Sequence, residues 1–229
     1  MKTIGILGGM SWESTVVYYT KINQYTKEMM GPEHSAKILL YSFDYRELEV
    51  LLEANDWSSI ETRLIKEAKT LETMNADCLM LGANTMHIAA HKVEQALKIP
   101  LIHIVKATRD TTKINGMKKV LLLGTMYTMQ SDLYPKLFKE EGIEVITPSK
   151  RDQASLHRII YQELIKGDFL NSSKQKVLEM IDQQSVDGVI LGCTEIPLLI
   201  KQSDCQVPLL DTLELHVKAA VDFAINHER

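Results

Sequence analysis

Three short stretches of this chain recur in the same order a little over a hundred residues later. Lys2-Thr3-Ile4-Gly5-Ile6-Leu7-Gly8-Gly9-Met10 is echoed by Lys118-Lys119-Val120-Leu121-Leu122-Leu123-Gly124-Thr125-Met126, at an offset of 116. Ala76-Asp77-Cys78-Leu79-Met80-Leu81-Gly82-Ala83-Asn84 is echoed by Val186-Asp187-Gly188-Val189-Ile190-Leu191-Gly192-Cys193-Thr194, at an offset of 110. Ile99-Pro100-Leu101-Ile102-His103 returns as Val207-Pro208-Leu209-Leu210-Asp211, at an offset of 108. Echoes in a fixed order at nearly constant offset mark a duplicated unit of about a hundred residues, enough for a small doubly wound lobe.

The duplicated stretches are short apolar runs that end in a glycine turn, and amphipathic segments separate them. Strands are expected at Thr3–Leu7, Lys37–Phe43, Cys78–Leu81, Leu101–Ile104, Lys119–Leu123, Glu144–Thr147, Gly188–Leu191 and Pro208–Leu210. The clearest helix runs from Asp56 to Asn75, where Ile60, Leu64, Ala68 and Leu71 recur at helical spacing. Ser58-x-x-Glu61 and Ser172-x-x-Gln175 have the form of capping boxes. Continuous rather than alternating apolar strands, separated by helices, predict an α/β fold of mostly parallel sheet covered on both faces. We therefore expect two pseudo-symmetric doubly wound lobes with four-stranded sheets, residues 1–98 plus 209–229 forming one and 99–208 the other. Ligands of open α/β sheets bind outside the carboxyl ends of the strands. The loops Gly8–Glu13, Gly82–His87, Gly124–Thr128 and Gly192–Glu195 are thus expected to meet at a cleft.

Charge and composition narrow the partners. Among 229 residues, 26 Lys+Arg stand against 30 Asp+Glu, a formal net charge of -4, so the basic footprint of a nucleic-acid binder is missing. No apolar run approaches the roughly 20 residues that span a bilayer, and Ile4–Leu7 is too short before its glycine pair for a signal-peptide core. Cytoplasm is the expected compartment. Three cysteines, Cys78, Cys193 and Cys205, fit reduced thiols better than a disulfide framework.

Of these, Cys193 in Gly192-Cys193-Thr194-Glu195 stands just past a buried strand. Backbone N–H groups at a following helix start would favour its thiolate; its bland alternative is a small buried core residue. Cys78 lies inside a strand run and Cys205 in a polar loop. Asn84 and Thr85 bring neutral donors to the loop that corresponds to that of Cys193, either for a carboxylate or for capping. His87 and His91 have one-faced metal spacing, but no Glu adjoins His87 and no third ligand is evident, which favours packing or surface histidines. The opening Gly5-Ile6-Leu7-Gly8-Gly9-Met10 lacks G-x-G-x-x-G spacing, so no dinucleotide is expected. Its glycines permit close backbone approach to a ligand, beside Met10, Ser11 and Ser14. Arg46 and Lys166 are loop cations suited to a small dicarboxylate, or solvated surface charges.

The opening Met1–Thr15, with Asn84-Thr85-Met86-His87 and Gly192-Cys193-Thr194-Glu195-Ile196, closely resembles the aspartate/glutamate racemase family over essentially the whole chain. The resemblance implies racemisation without pyridoxal phosphate or metal, and a homodimer. It implies an amino-acid substrate flanked by two cysteines, one removing the α-proton and the other delivering a proton to the opposite face. By motif match Cys193 is the second cysteine. Arg46 and Lys166 fall where the side-chain carboxylate binds, and Met10, Ser11, Asn84, Thr85, Thr125, Thr128 and Thr194 fall around the rest of the substrate. The first cysteine normally precedes the Asn-Thr pair, and here Ala83 stands there. Three explanations remain open: an engineered replacement of a catalytic cysteine; a natural one-cysteine racemase in which water, Thr85 or His87 serves the other face; or a reaction needing one proton donor, as in single-cysteine decarboxylases of malonate-type acids on this scaffold. A catalytically silent small-acid binder is a further alternative.

Overall fold

The computed structural model describes residues 1–226. They form two compact units, Met1–Ile104 with the segment from His216 onward, and Val105–Leu215. The first contains β1 (Thr3–Gly8), α1 (Trp12–Met30), β2 (Lys37–Ser42), α2 (Tyr45–Glu53), α3 (Trp57–Thr73), β3 (Cys78–Leu81), a 3-10 turn (Thr85–Ala89), α4 (Ala90–Ala96) and β4 (Leu101–Ile102). Its sheet is parallel, in the order β2-β1-β3-β4.

The second unit repeats the scheme. It takes in α5 (Ile104–Ile114), β5 (Lys119–Gly124), α6 (Met126–Gln130), α7 (Leu133–Lys139), β6 (Glu144–Ile146), α8 (Lys150–Gln162), a 3-10 turn (Leu164–Lys166), α9 (Asn171–Asp182), β7 (Gly188–Gly192), α10 (Ile196–Leu199), a 3-10 turn (Gln202–Asp204) and β8 (Leu209–Asp211). Its parallel order, β6-β5-β7-β8, is the same. The central strands β1, β3, β5 and β7 are buried along almost their whole length, which is why they read as unbroken apolar runs.

The sequence echoes have a shared physical cause. Asp77 accepts the Thr3 N–H at 2.6 Å, while its own N–H donates to the Thr3 carbonyl at 2.8 Å. Asp187 does the same at the start of β5, accepting from Lys118 and Lys119 at 2.7 and 2.9 Å and donating to the Lys119 carbonyl. These bonds hold the Asp187 carboxyl below its usual range. The repeated proline supplies the next tie, because Leu79 donates to the Pro100 carbonyl and Val189 to that of Pro208, each at 2.9 Å. At the other strand ends, an added Cβ on Gly124 or Gly192 would lie 3.0 Å from the facing carbonyl oxygen. The glycines let adjacent strands end close together.

Several expectations are corrected. The boundaries 98/99 and 208/209 split the sheets wrongly: β4 pairs with β3 and β8 with β7, so both strands stay with the unit that precedes them. The helices after them change units. Helix α5 joins the second, where Arg109 and Lys113 pair with Glu140 and Glu141. Helix α11 (Thr212–Asn226) has its first turn tied to β7 through Thr212 and the Leu191 carbonyl, and from His216 it joins the first unit. Neither expected capping box forms. Asp56 caps α3 by accepting from Ser59, and Leu170, without a side-chain cap, precedes α9. Among the described residues, no helix is long and apolar enough to cross a membrane.

Candidate active site

In each unit most of the predicted functional residues lie on the turns that directly follow the two central strands, β1 and β3 in the first and β5 and β7 in the second. In the first, the turn after β1 is forced by Gly9, whose φ is +79° and whose hypothetical Cβ would lie 2.3 Å from the Phe43 carbonyl oxygen. Its N–H donates to Thr15 Oγ1 at 2.8 Å, and Phe43 N–H donates to the Gly8 carbonyl. Met10 is buried beside it. Ser11 caps α1, its hydroxyl accepting from Ser14 N–H and donating to Glu13, so part of its hydrogen-bonding capacity is structural.

After β3, half-buried Ala83 precedes buried Asn84, which leads into the 3-10 turn without capping it, and half-buried Thr85. His87 fixes this loop from beneath. Its Nδ1–H donates to the Ala83 carbonyl at 2.9 Å, and its Nε2 accepts the Ile104 N–H at 3.2 Å. The ring is fully buried against His103 and His216, and burial, then those neighbours, push its pKa well below the usual value. His87 is therefore a packing residue with both nitrogens committed to backbone, and it does not supply a base for the Ala83 side. His91 lies exposed. Arg46, in the first turn of α2, is exposed and pairs with Glu49 at 2.7 Å.

In the second unit, Thr125 caps α6, accepting the Thr128 N–H at 3.3 Å, with the two hydroxyls 3.2 Å apart. Sequence reasoning missed His157 on α8, which supports this loop. Its Nδ1 accepts the Met126 N–H at 3.3 Å while its ring packs between Tyr127 and Tyr161. Lys166 is exposed at the end of its 3-10 turn.

Cys193 follows β7 directly and is 8% exposed. Its Sγ–H donates to Glu195 Oε2 at 2.9 Å, and Thr194 Oγ1 donates to the same oxygen at 2.8 Å. Burial first, and then the charge and hydrogen bond of Glu195, raise the thiol pKa well above its ordinary value, against a smaller opposite pull from the Glu195 and Thr194 backbone. The backbone N–H groups do favour the thiolate, as expected, but burial first and then the Glu195 carboxylate outweigh them, so the balance lies toward the thiol. Glu195 is the second residue that sequence reasoning missed, although it stands in the Gly-Cys-Thr-Glu motif itself. The other cysteines differ. Burial, and then Asp77, push the Cys78 thiol up to about 12, and Cys205 is half-exposed beyond the turn Gln202–Asp204.

A buried thiol hydrogen-bonded to a carboxylate is a group that can take a proton from a weak carbon acid and return it. The sequence model of the Asp/Glu/Hydantoin racemase family matches residues 7–220. The chain is similar to the broad specificity amino-acid racemase RacX of Bacillus subtilis (strain 168), 27% identical over 226 residues, 95% of this chain and 96% of the relative. An Asp/Glu racemase candidate of known structure from Yersinia pestis superposes with a TM-score of 0.93 at 43% identity, covering 98% of this chain and 100% of that one. The structure of an aspartate racemase homologue from Pyrococcus horikoshii OT3 gives 0.86 at 35% identity, covering 98% and 99%. The match spans both units and both motif loops, and the chain belongs to the Asp/Glu/hydantoin racemase family.

Proposed function

We propose that this protein is an amino-acid racemase acting on aspartate or glutamate, with Cys193 as the catalytic acid–base residue. The observation that carries the reading is the buried Sγ–H of Cys193 held 2.9 Å from a carboxylate at the end of a parallel strand, in a member of this family. Moving a proton on and off an α-carbon calls for a group near the carbon that can be both acid and base, and for donors that stabilise the carbanion's carboxylate. Met10, Ser11, Asn84, Thr85, Thr125, Thr128 and Thr194 are assigned to the α-carboxylate and α-amine. Arg46 and Lys166 are assigned to the acidic side chain, a preference that the aspartate racemase homologue supports and the broad-specificity relative widens. The proposal includes a cytoplasmic homodimer that works without pyridoxal phosphate.

Ala83 favours a second reading, single-thiol decarboxylation or isomerisation of a small diacid, because an alanine methyl exchanges no proton. Incubation with L- or D-aspartate and chiral analysis decides between them. Inversion supports the racemase, whereas carbon dioxide release from substituted malonates without inversion supports the alternative.

A further inference from the structure

We infer that the groove between α8 and α9 binds a small molecule with phosphoryl groups at both ends of a hydroxylated chain, and that α8 passes its occupancy to the loop that starts at Thr125.

Helical spacing builds the groove. On α8, Arg151, Ser155 and Arg158 recur at intervals of three or four residues, which puts them on one face. Lys176, Glu179 and Gln183 recur in the same way on α9 and its C-cap. The two stripes line a cavity of about 500 Å³, the size of a site for a small organic molecule. No residue of the cavity belongs to the turns after the central strands, so it shares nothing with the candidate active site.

Charge and spacing select the ligand. Three cations, Arg151, Arg158 and Lys176, line the groove against the carboxylates of Asp152 and Glu179, in a chain whose net charge is -4. Asp152 is partly spent at the start of α8, where it accepts from the Ser149 hydroxyl at 2.7 Å. All three cations are exposed and within reach of a solute. A guanidinium fork grips phosphoryl oxygens in pairs, and an ammonium adds a point charge. Arg151 and Arg158 stand seven residues apart, roughly 10 Å along the helix axis, which suits two anionic groups on one molecule better than a single phosphate. Ser155 and Glu179 fall between the ends of their stripes. They offer acceptors to hydroxyl groups, and the Glu179 charge opposes a continuous polyphosphate.

The adjacent face of α8 carries the connection. Gln153 Oε1 accepts from Gln130 Nε2 at 3.3 Å, and four residues on, His157 Nδ1 accepts the Met126 N–H at 3.3 Å. Both bonds hold α6 and the Thr125 turn, and His157 directly precedes Arg158. A ligand that steadies α8 from the groove therefore steadies the loop that Thr125 and Thr128 occupy.

Isothermal titration of the full chain with fructose 1,6-bisphosphate at low salt tests the site. Kd should lie below about 100 μM, at least about tenfold tighter than for fructose 6-phosphate or inorganic phosphate. Arg151→Ala, Arg158→Ala and Lys176→Ala should each weaken binding by about fivefold or more, and Lys166→Ala, outside the groove, by less than about twofold. The substituted positions are exposed, so the core is left intact. On saturation, hydrogen exchange at the Met126 amide should slow by at least about threefold. Absence of binding, equal affinity for the monophosphate, or loss of binding in Lys166→Ala but not in the groove variants would overturn the site. Unchanged exchange at Met126 would overturn the connection through α8. Neither readout needs an amino-acid substrate, so both outcomes are independent of the racemase reading.

Discussion

The Nε2–H of His216 donates to the Ile102 carbonyl at 2.6 Å while its Nδ1 accepts from the Tyr18 hydroxyl at 3.0 Å, so α11 is fastened to both β4 and α1 by one neutral imidazole. Burial, its largest influence, brings its pKa down to about 4, and His87 beside it is lowered as well. Above pH 6.5 neither folded nor unfolded chain protonates this site; below it the unfolded chain takes up a proton that the folded one refuses. Stability should therefore fall as pH drops from about 6.5 towards 4, by on the order of 3 kcal/mol from His216 alone. Urea titrations across that range check it. His216→Gln, which can keep both hydrogen bonds, should flatten the slope; an unchanged slope would remove His216 as its source.

Gly9 should tolerate no side chain. An alanine there would combine a left-handed backbone with a methyl 2.3 Å from the Phe43 carbonyl oxygen. Gly9→Ala is expected to cost about 2 kcal/mol or more in denaturant unfolding, whereas Gly116→Ala, also at positive φ but with open space around its Cβ position, should cost less.

Glu49 engages Nη1 of Arg46 and competes with a substrate carboxylate for the guanidinium, although exposed pairs of this kind are weak. Arg46→Ala should raise KM for aspartate by at least about tenfold more than for a neutral amino acid, and Glu49→Gln should lower KM for aspartate. Steady-state kinetics on the two substrate types test the assignment; equal effects of Arg46→Ala on both would refute it.

Ala83→Cys places a thiol on the loop held by His87. Racemisation should rise by roughly 100-fold, with α-deuterium exchange rising much less, because the change supplies a second face rather than a better first one. Chiral chromatography of D- and L-aspartate checks it, and no gain would favour the single-donor reaction.

Much of the fold was legible because its causes are local or periodic. Central parallel strands are buried on both faces, and Asp77, Asp187, Pro100 and Pro208 repeat because each ties a strand end. Sequence spacing could not reveal that α5 and α11 pack away from the strands they follow, since partners such as Glu140 and Tyr18 are remote in the chain. The caps failed for a related reason: Asp56 lies two residues before the expected Ser58, and one-turn geometry, not motif form, decides which side chain reaches the free N–H. At the candidate site, the position of Cys193 was readable from its motif. Its protonation state was not, because it depends on burial and on which way the Glu195 side chain turns.

α-Deuteration tests the role of Cys193 most directly. L- and D-aspartate and glutamate, incubated with the parent chain and with Cys193→Ala in deuterated water, should be followed by mass measurement and chiral analysis. The parent should place one deuterium at the α-carbon of an acidic amino acid, faster than it inverts configuration, and Cys193→Ala should place none. Absence of both deuteration and inversion for every amino acid tried, or equal deuteration by Cys193→Ala, would contradict it.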